Sequence, residues 1–265
     1  MVLHYRKTGQ GMPLIILHGL YGSADNWMSI ARRLSERCEI IVPDMRNHGH
    51  SPHHPVHTYP EMCADVVELM DALHLEKCAL MGHSMGGKTA IHIAATVPQR
   101  ISRMIVADIA PVNYASLTEY SPAALEHLNL LHVLLNTDLS LFSKREDIEQ
   151  YWTADIPDAA TRRFLLKNLQ RSDNSFIWRL HLQAIARNLP HILNGFDEER
   201  FRNMQLPMPA LFLKGGKSPY LQPEMTPAIQ QLFPQAQIAV IPDAGHWLHA
   251  EQPKLFVQAV EKFMS

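Results

Sequence analysis

Residues 78–91 read CALMGHSMGGKTAI: a short apolar run, then Gly82-His83-Ser84-Met85-Gly86, then a helix-compatible segment. This order of strand, G-x-S-x-G turn and helix constrains the chain more than any other stretch. The turn it requires is tight and strained. Small residues must stand two positions to either side of Ser84, where a Cβ would collide with strand or helix. The serine hydroxyl then projects above the sheet edge, and the Met85 N–H at the helix start faces the same space. A glycine-rich turn that merely carries a serine fits the same pattern, so the reading depends on partners elsewhere.

An unassisted serine hydroxyl is a weak nucleophile and needs a base, with a further group to orient that base. Near the C-terminus the chain reads QIAVIPDAGHWLHAEQP. That is an apolar strand (Ile238 to Ile241), an Asp243-Ala244-Gly245 turn and then His246, with a helix expected from about Gln252. His246 is the candidate base among 16 histidines because it lies just beyond a strand end. His249 is the nearest competitor, expected at the helix entrance and facing elsewhere. Upstream, the buried-strand run Pro13-Leu14-Ile15-Ile16-Leu17 ends in His18-Gly19-Leu20-Tyr21-Gly22. His18 there is read as a structural histidine bracing the loop.

Three strand-end carboxylates compete to orient His246. Asp108 ends the run Met104-Ile105-Val106-Ala107 and would share the carboxyl edge of the sheet with Ser84. It is the preferred candidate. Asp44 follows Ile40-Ile41-Val42-Pro43, and Asp44-x-Arg46 is read as a pair that fastens the His-Gly loop. Asp243 is read as a turn former.

The stretches HGLYGSADNW (18–27), PDMRNHGHSP (43–52), GHSMGGKTA (82–90), ADIAPVNY (107–114), GGKSPY (215–220) and AGHWLHAEQP (244–253) span the chain. Together they resemble the α/β-hydrolases, and within them the small bacterial esterases of the YbfF type. The resemblance implies an oxyanion hole formed by the N–H groups of Leu20 and Met85. Losing one such donor typically costs on the order of 3 kcal/mol of transition-state stabilisation. The commonest acid position in that family, after the strand Ala210-Leu211-Phe212-Leu213, holds Ser218 here, and no carboxylate lies between Gln205 and Glu224. The YbfF-type subfamily places its acid at the position matching Asp108 and a serine at that of Ser218, so Ser218 is an accessory candidate. Hydrolysis of acyl esters, or of acyl thioesters including acyl-CoA, is what the kinship implies.

The fold expected is α/β: a mostly parallel, doubly wound sheet with an inserted helical cap. Strand-like runs recur near 13–17, 38–43, 78–82, 103–108, 209–214 and 237–241, with an N-terminal strand pair before them. Thr58-Tyr59-Pro60-Glu61 reads as a capping box opening a helix whose apolar face is Met62, Val66, Leu69, Met70 and Leu73. Between Asp108 and Pro209 the strand signal vanishes, and residues 122–135, 145–152, 159–170 and 176–189 look helical, with a break around Pro190 to Gly195. Residues 113–203 are therefore assigned to a cap, with 1–112 and 204–265 as the core. Within the cap, Leu128, Leu131, Leu135, Trp152, Phe164, Phe176 and Trp178 are candidates to line an acyl pocket. Trp247 and Tyr21 join them from the core as substrate-contact candidates. Lys88, one turn after Ser84, is read as structural.

A net charge of −2, with no Lys/Arg run beyond two residues, leaves no electrostatic footprint for nucleic acid or anionic membrane. No apolar stretch approaches spanning length, and the start MVLHYRKTGQG lacks the order of a secretory signal. Cys38, Cys63 and Cys78 read as reduced core residues, which places the expected compartment in the cytoplasm. His48, His50, His53, His54 and His57 lack metal-site spacing and are read as a solvated loop at the cleft entrance. Neither metal nor organic cofactor is expected. The expected partner is a small acyl ester or thioester, and the expected assembly a monomer or small homo-oligomer. Rival readings are other chemistry on the same triad (a C–C hydrolase, lyase or cofactor-free peroxidase) and a non-catalytic binding protein.

Overall fold

A computed structural model describes residues 1–114, 122–196 and 198–265. The first half of the chain supplies strands β1 (Tyr5–Thr8), β2 (Met12–Leu17), β3 (Cys38–Pro43), β4 (Cys78–His83) and β5 (Ile101–Ala107). Helices α1 (Met28–Leu34), α2 (Tyr59–Ala72) and α3 (Met85–Thr96) alternate with them. Next come α4 (Pro122–Asn136), α5 (Arg145–Tyr151), α6 (Ala159–Leu166), a hairpin of β6 (Leu169–Ser172) and β7 (Ser175–Trp178), α7 (Leu182–Asn194) and α8 (Glu198–Phe201). The chain then closes with β8 (Ala210–Gly215), α9 (Thr226–Leu232), β9 (Gln237–Ile241), α10 (Leu248–Glu251) and α11 (Pro253–Met264).

Seven strands form one sheet in the order β1-β3-β2-β4-β5-β8-β9, and only β1 runs antiparallel to its neighbour. The inner strands are near-continuous apolar runs because both their faces are covered. Alternate side chains divide between two cores. Ile15, Leu17, Leu80 and Val106 pack with Met62, Val66 and Ile91 of α2 and α3. Leu14, Ile16, Met81 and Ile105 pack with Ile30, Leu34, Phe256 and Val260 of α1 and α11. Every bound parallel strand points its carboxyl end to the same edge, so the residues after β2, β4, β5, β8 and β9 converge there. Among the described residues no helix is long and apolar enough to cross a membrane.

Several expectations need correction. One strand, not two, precedes β2. Thr58 occupies the N-cap of α2, but its side chain makes no capping bond. The segment expected to be helical from residue 176 instead begins with β7, and residues 169–178 form a hairpin with Ser172 opposite Ser175. The two-residue Asp173-Asn174 turn closes it, with Asp173 at φ +48°, and the aromatic and β-branched run Phe176-Ile177-Trp178 suits a strand. Pro190 does not break α7, which runs on to Asn194. Burial of Leu182, Ile185, Leu189 and Ile192 holds that helix through the proline.

The elbow around Ser84 is the tightest point of the sheet edge. A Cβ built on Gly82 would lie 2.2 Å from the Gly86 carbonyl oxygen, and one on Gly86 would lie 2.2 Å from that of Leu17. Both obstacles are backbone, so neither can rotate away. Gly86→Ala is therefore expected to destabilise by at least the ~1–3 kcal/mol typical of overpacking, read as a lower urea midpoint. A midpoint equal to wild type would contradict the close approach.

Candidate active site

Ser84 sits between β4 and α3 at φ 54°, ψ −119°, a conformation that costs free energy for any residue with a Cβ. Its N–H is tied to the Ala107 carbonyl at 3.1 Å, which fixes the turn against β5. One residue further along β5, Asp108 also has positive φ, at 53°. Its N–H donates to Leu213 O at 2.8 Å, so the end of β5 is clamped between β4 and β8.

Asp108 is fully buried, and its carboxylate is fully engaged. Gly215 N–H donates to Oδ1 at 2.9 Å, while His246 Nδ1 at 2.7 Å and the Ser218 hydroxyl both reach Oδ2. Each is a donor to an ionised acceptor, the strong class of hydrogen bond. The loop carrying His246 reaches this position because it passes directly over Gly215, where a Cβ would meet the Gly245 carbonyl oxygen at 2.2 Å. Lys217 N–H to Ala244 O at 2.8 Å and Gly216 N–H to Ile241 O at 2.9 Å stitch the two loops together. With Nδ1–H directed at the carboxylate, the Nε2 lone pair of His246 is left for another proton.

Ser84 and His246 line one cavity of about 500 Å³. Leu20, Tyr21, Phe164 and Trp247 also line it. Phe164 and Trp247 pack against each other in its wall, with ring centres 5.1 Å apart and planes tilted by 34°. Trp152 and Trp178 do not reach the cavity. They stack on each other 6.0 Å apart, and Trp152 is fully buried with its indole N–H on Thr137. Leu128, Leu131, Leu135 and Phe176 are likewise absent from the cavity wall, which α4 supplies instead through Glu126, His127 and Leu130. A four-residue register rule cannot tell which stripe of a helix with leucines on several faces turns inward.

His18 braces its loop through both ring nitrogens, with Nδ1 on Gly19 O at 2.8 Å and Nε2 accepting from Met45 N–H at 2.9 Å. Burial lowers its pKa and keeps it neutral. Asp44 and Arg46 do not pair with each other. Asp44 accepts from Ala24 N–H at 2.7 Å and His50 N–H at 2.9 Å, and these donors outweigh burial and hold its pKa low. Arg46 turns away to Asp65, at 2.6 and 2.9 Å. Asp243 stands in an exposed turn at φ 58° beside Lys217. Lys88 is buried beneath Tyr114, 4.7 Å from the ring centre, with Nζ 3.4 Å from Leu193 O. Desolvation brings its pKa down to about 7.

The solvated reading of the histidine loop holds for His50 and His53, which are exposed, and in part for half-buried His54. His48 and His57 are instead fully buried, and none of the five lines the cavity. His249 is also buried, stacked on Trp27 at 4.1 Å. The three cysteines are free and buried.

This chain matches the family described as alpha/beta hydrolase fold over residues 12–253. It belongs to the α/β-hydrolase family. It is 38% identical to an sn-1-specific diacylglycerol lipase, ABHD11, of Danio rerio, over 97% of this chain and 79% of that one. It is 33% identical to the esterase YbfF of Escherichia coli (strain K12), over 96% of this chain and 93% of the relative. Among solved structures, a marine microorganism esterase superposes with a TM-score of 0.93 at 41% identity, covering 99% of both chains.

Burial pushes several imidazoles of this α/β-hydrolase down from the ordinary value near 6.5: His57 and His249 to about 3, His127 to about 4, and His48 and His83 well below it. Their folded pKa values lie below the unfolded ones, so the stabilisation from keeping them neutral is complete above about pH 6.5 and is lost as pH falls. Each of the most depressed groups contributes up to about 2 kcal/mol of that loss between pH 7 and 5. The urea midpoint should fall steadily over this interval, and His57→Asn should flatten the fall. A midpoint independent of pH would show that these rings are hydrated.

Proposed function

We propose that this chain is a serine hydrolase that cleaves acyl esters by two-step acyl transfer. Ser84 is the nucleophile, His246 the general base and then acid, and Asp108 the group that fixes the imidazole tautomer and stabilises its cation. The observation that carries the reading is the 2.7 Å bond from His246 Nδ1 to buried Asp108, placed beside a strained Ser84 in one cavity. Attack by Ser84 Oγ transfers its proton to His246 Nε2. The tetrahedral oxyanion is received by the N–H groups of Leu20 and Met85, and collapse expels the alcohol with the proton from His246. Water, activated in turn by His246, releases the acid.

Met85 suits the oxyanion role because it is the first residue of α3, where an N–H has no intrahelical acceptor. Leu20 lies in the turn closed by Gly22 N–H to Gly19 O at 3.0 Å. The segment between β5 and β8 acts as a cap, since Phe164, Leu165 and His127 roof the cavity. Trp247 and Tyr21 are the proposed acyl contacts from the core. Ser218 supports Asp108 as an accessory donor. A thioester carbonyl is attacked by the same route, so acyl thioesters fall within the proposed substrate range. The free buried cysteines fit a cytoplasmic protein.

Ser84→Ala should abolish turnover of p-nitrophenyl acyl esters and labelling by a fluorophosphonate, with cooperative unfolding retained. Turnover that survives would sink the triad and favour a binding protein on this scaffold. Asp108→Asn should lower kcat by about 10⁴, the usual cost of a wrong tautomer, whereas Asp44→Asn should lower stability and leave kcat within a few-fold. The reverse pattern would reassign the acid.

A further inference from the structure

The Tyr220 ring lies flat against the His246 imidazole, with ring centres 3.8 Å apart and planes 19° from parallel. Nothing in the proposed acyl transfer uses this contact. Tyr220 is buried and held by its backbone on both sides: its N–H donates to Ser218 Oγ at 3.2 Å, and its carbonyl accepts from the Tyr114 hydroxyl. Tyr114 is in turn anchored by Ala110 N–H at 3.0 Å, two residues past Asp108. One short loop, Gly215 to Tyr220, thus delivers three restraints to the Asp108–His246 pair: the Gly215 N–H, the Ser218 hydroxyl and the Tyr220 ring face.

His246 is restrained a second way, through its backbone. His83 Nε2 donates to the His246 carbonyl oxygen at 2.8 Å, and the two rings lie 4.6 Å apart and tilted by 43°. His83 is itself met edge-on by His249 at 5.0 Å, which stacks on Trp27. The His246 backbone is therefore pinned through His83, while its ring is steadied through Tyr220. The Nδ1 bond to Asp108 fixes one point of the ring but leaves it free to rock about that bond. A flat face at van der Waals distance removes this freedom.

We propose that Tyr220 is a positioning residue for the His246 base: its ring face sets the imidazole plane and favours the imidazolium that forms in each transition state. An aromatic face attracts a cation through its quadrupole, and the attraction is greatest where water is excluded. The proposal rests on His246 acting as the base. The working part is the ring and not the hydroxyl, whose contact among the described residues is a long one, 3.4 Å to His127 Nε2.

Tyr220→Leu and Tyr220→Phe test this on p-nitrophenyl butyrate, with Ser84→Ala and His246→Ala as references and urea unfolding of each variant alongside. The Leu variant should lose about tenfold in kcat with KM changed by less than about twofold, within the range of a desolvated cation–π contact. The Phe variant should stay within about twofold of wild type in both constants. Should Tyr220→Leu not unfold cooperatively, Tyr220→Met is measured in its place with the same expectation. An effect confined to KM would make Tyr220 a substrate contact, and a Phe variant as impaired as Leu would assign the effect to the hydroxyl; either overturns the proposal. An unchanged kcat in Tyr220→Leu, with His246→Ala inactive, overturns it while leaving the base in place. Turnover surviving in His246→Ala would remove the base assignment itself.

Discussion

A carboxylate with no exposure to water must find donors for both oxygens or lose its charge. Asp108 finds three, and each demands something of the fold. The Gly215 N–H is available only because β8 lies beside β5. The Ser218 hydroxyl arrives because the loop after β8 folds back on its own strand end, with Ser218 N–H on Gly215 O at 3.0 Å. His246 arrives because a glycine at 215 lets the loop after β9 pass within contact of that strand. Strand order, glycine placement and loop stitching thus converge on one buried charge.

The other imidazoles around the Asp108–His246 pair carry no charge. His18, His83, His127 and His249 all line the cavity, and burial holds each in its uncharged form. Had they been protonated, their repulsion would oppose a cation on His246. As neutral rings they pack the wall, His18 and His83 hold loops by hydrogen bonds, and Asp108 is the buried carboxylate partner of His246. The proposed acyl transfer requires this arrangement, because a positive charge must form on His246 twice in each turnover.

The sheet and the convergence of Ser84, Asp108 and His246 were legible in the sequence because the signals were dense. Buried parallel strands are continuous apolar runs, and the candidate side chains fall one residue or a short turn after them. The insertion was less legible. Phe176-Ile177-Trp178 is too short a run to distinguish strand from helix without its turn partner, and Trp152 and Trp178 satisfy each other in a way composition cannot reveal. Asp44 and Arg46 invited pairing by proximity in sequence, yet adjacent loop residues often point apart. Asp65, on α2, had the rigid position that the guanidinium fork needs. Tyr220 was visible only as part of GGKSPY, since a stacking role depends on where two loops meet.

The tautomer of His246 is the most direct test of what the buried Asp108 carboxylate does. Long-range ¹⁵N–¹H correlation spectra of the histidine side chains, assigned by comparison with His246→Ala, distinguish a ring protonated at Nδ1 from one protonated at Nε2. At neutral pH His246 should be protonated at Nδ1 in the wild type, with that preference lost in Asp108→Asn. A ring protonated at Nε2 in the wild type, or a spectrum unchanged by Asp108→Asn, would contradict the buried carboxylate as the group that prepares the base.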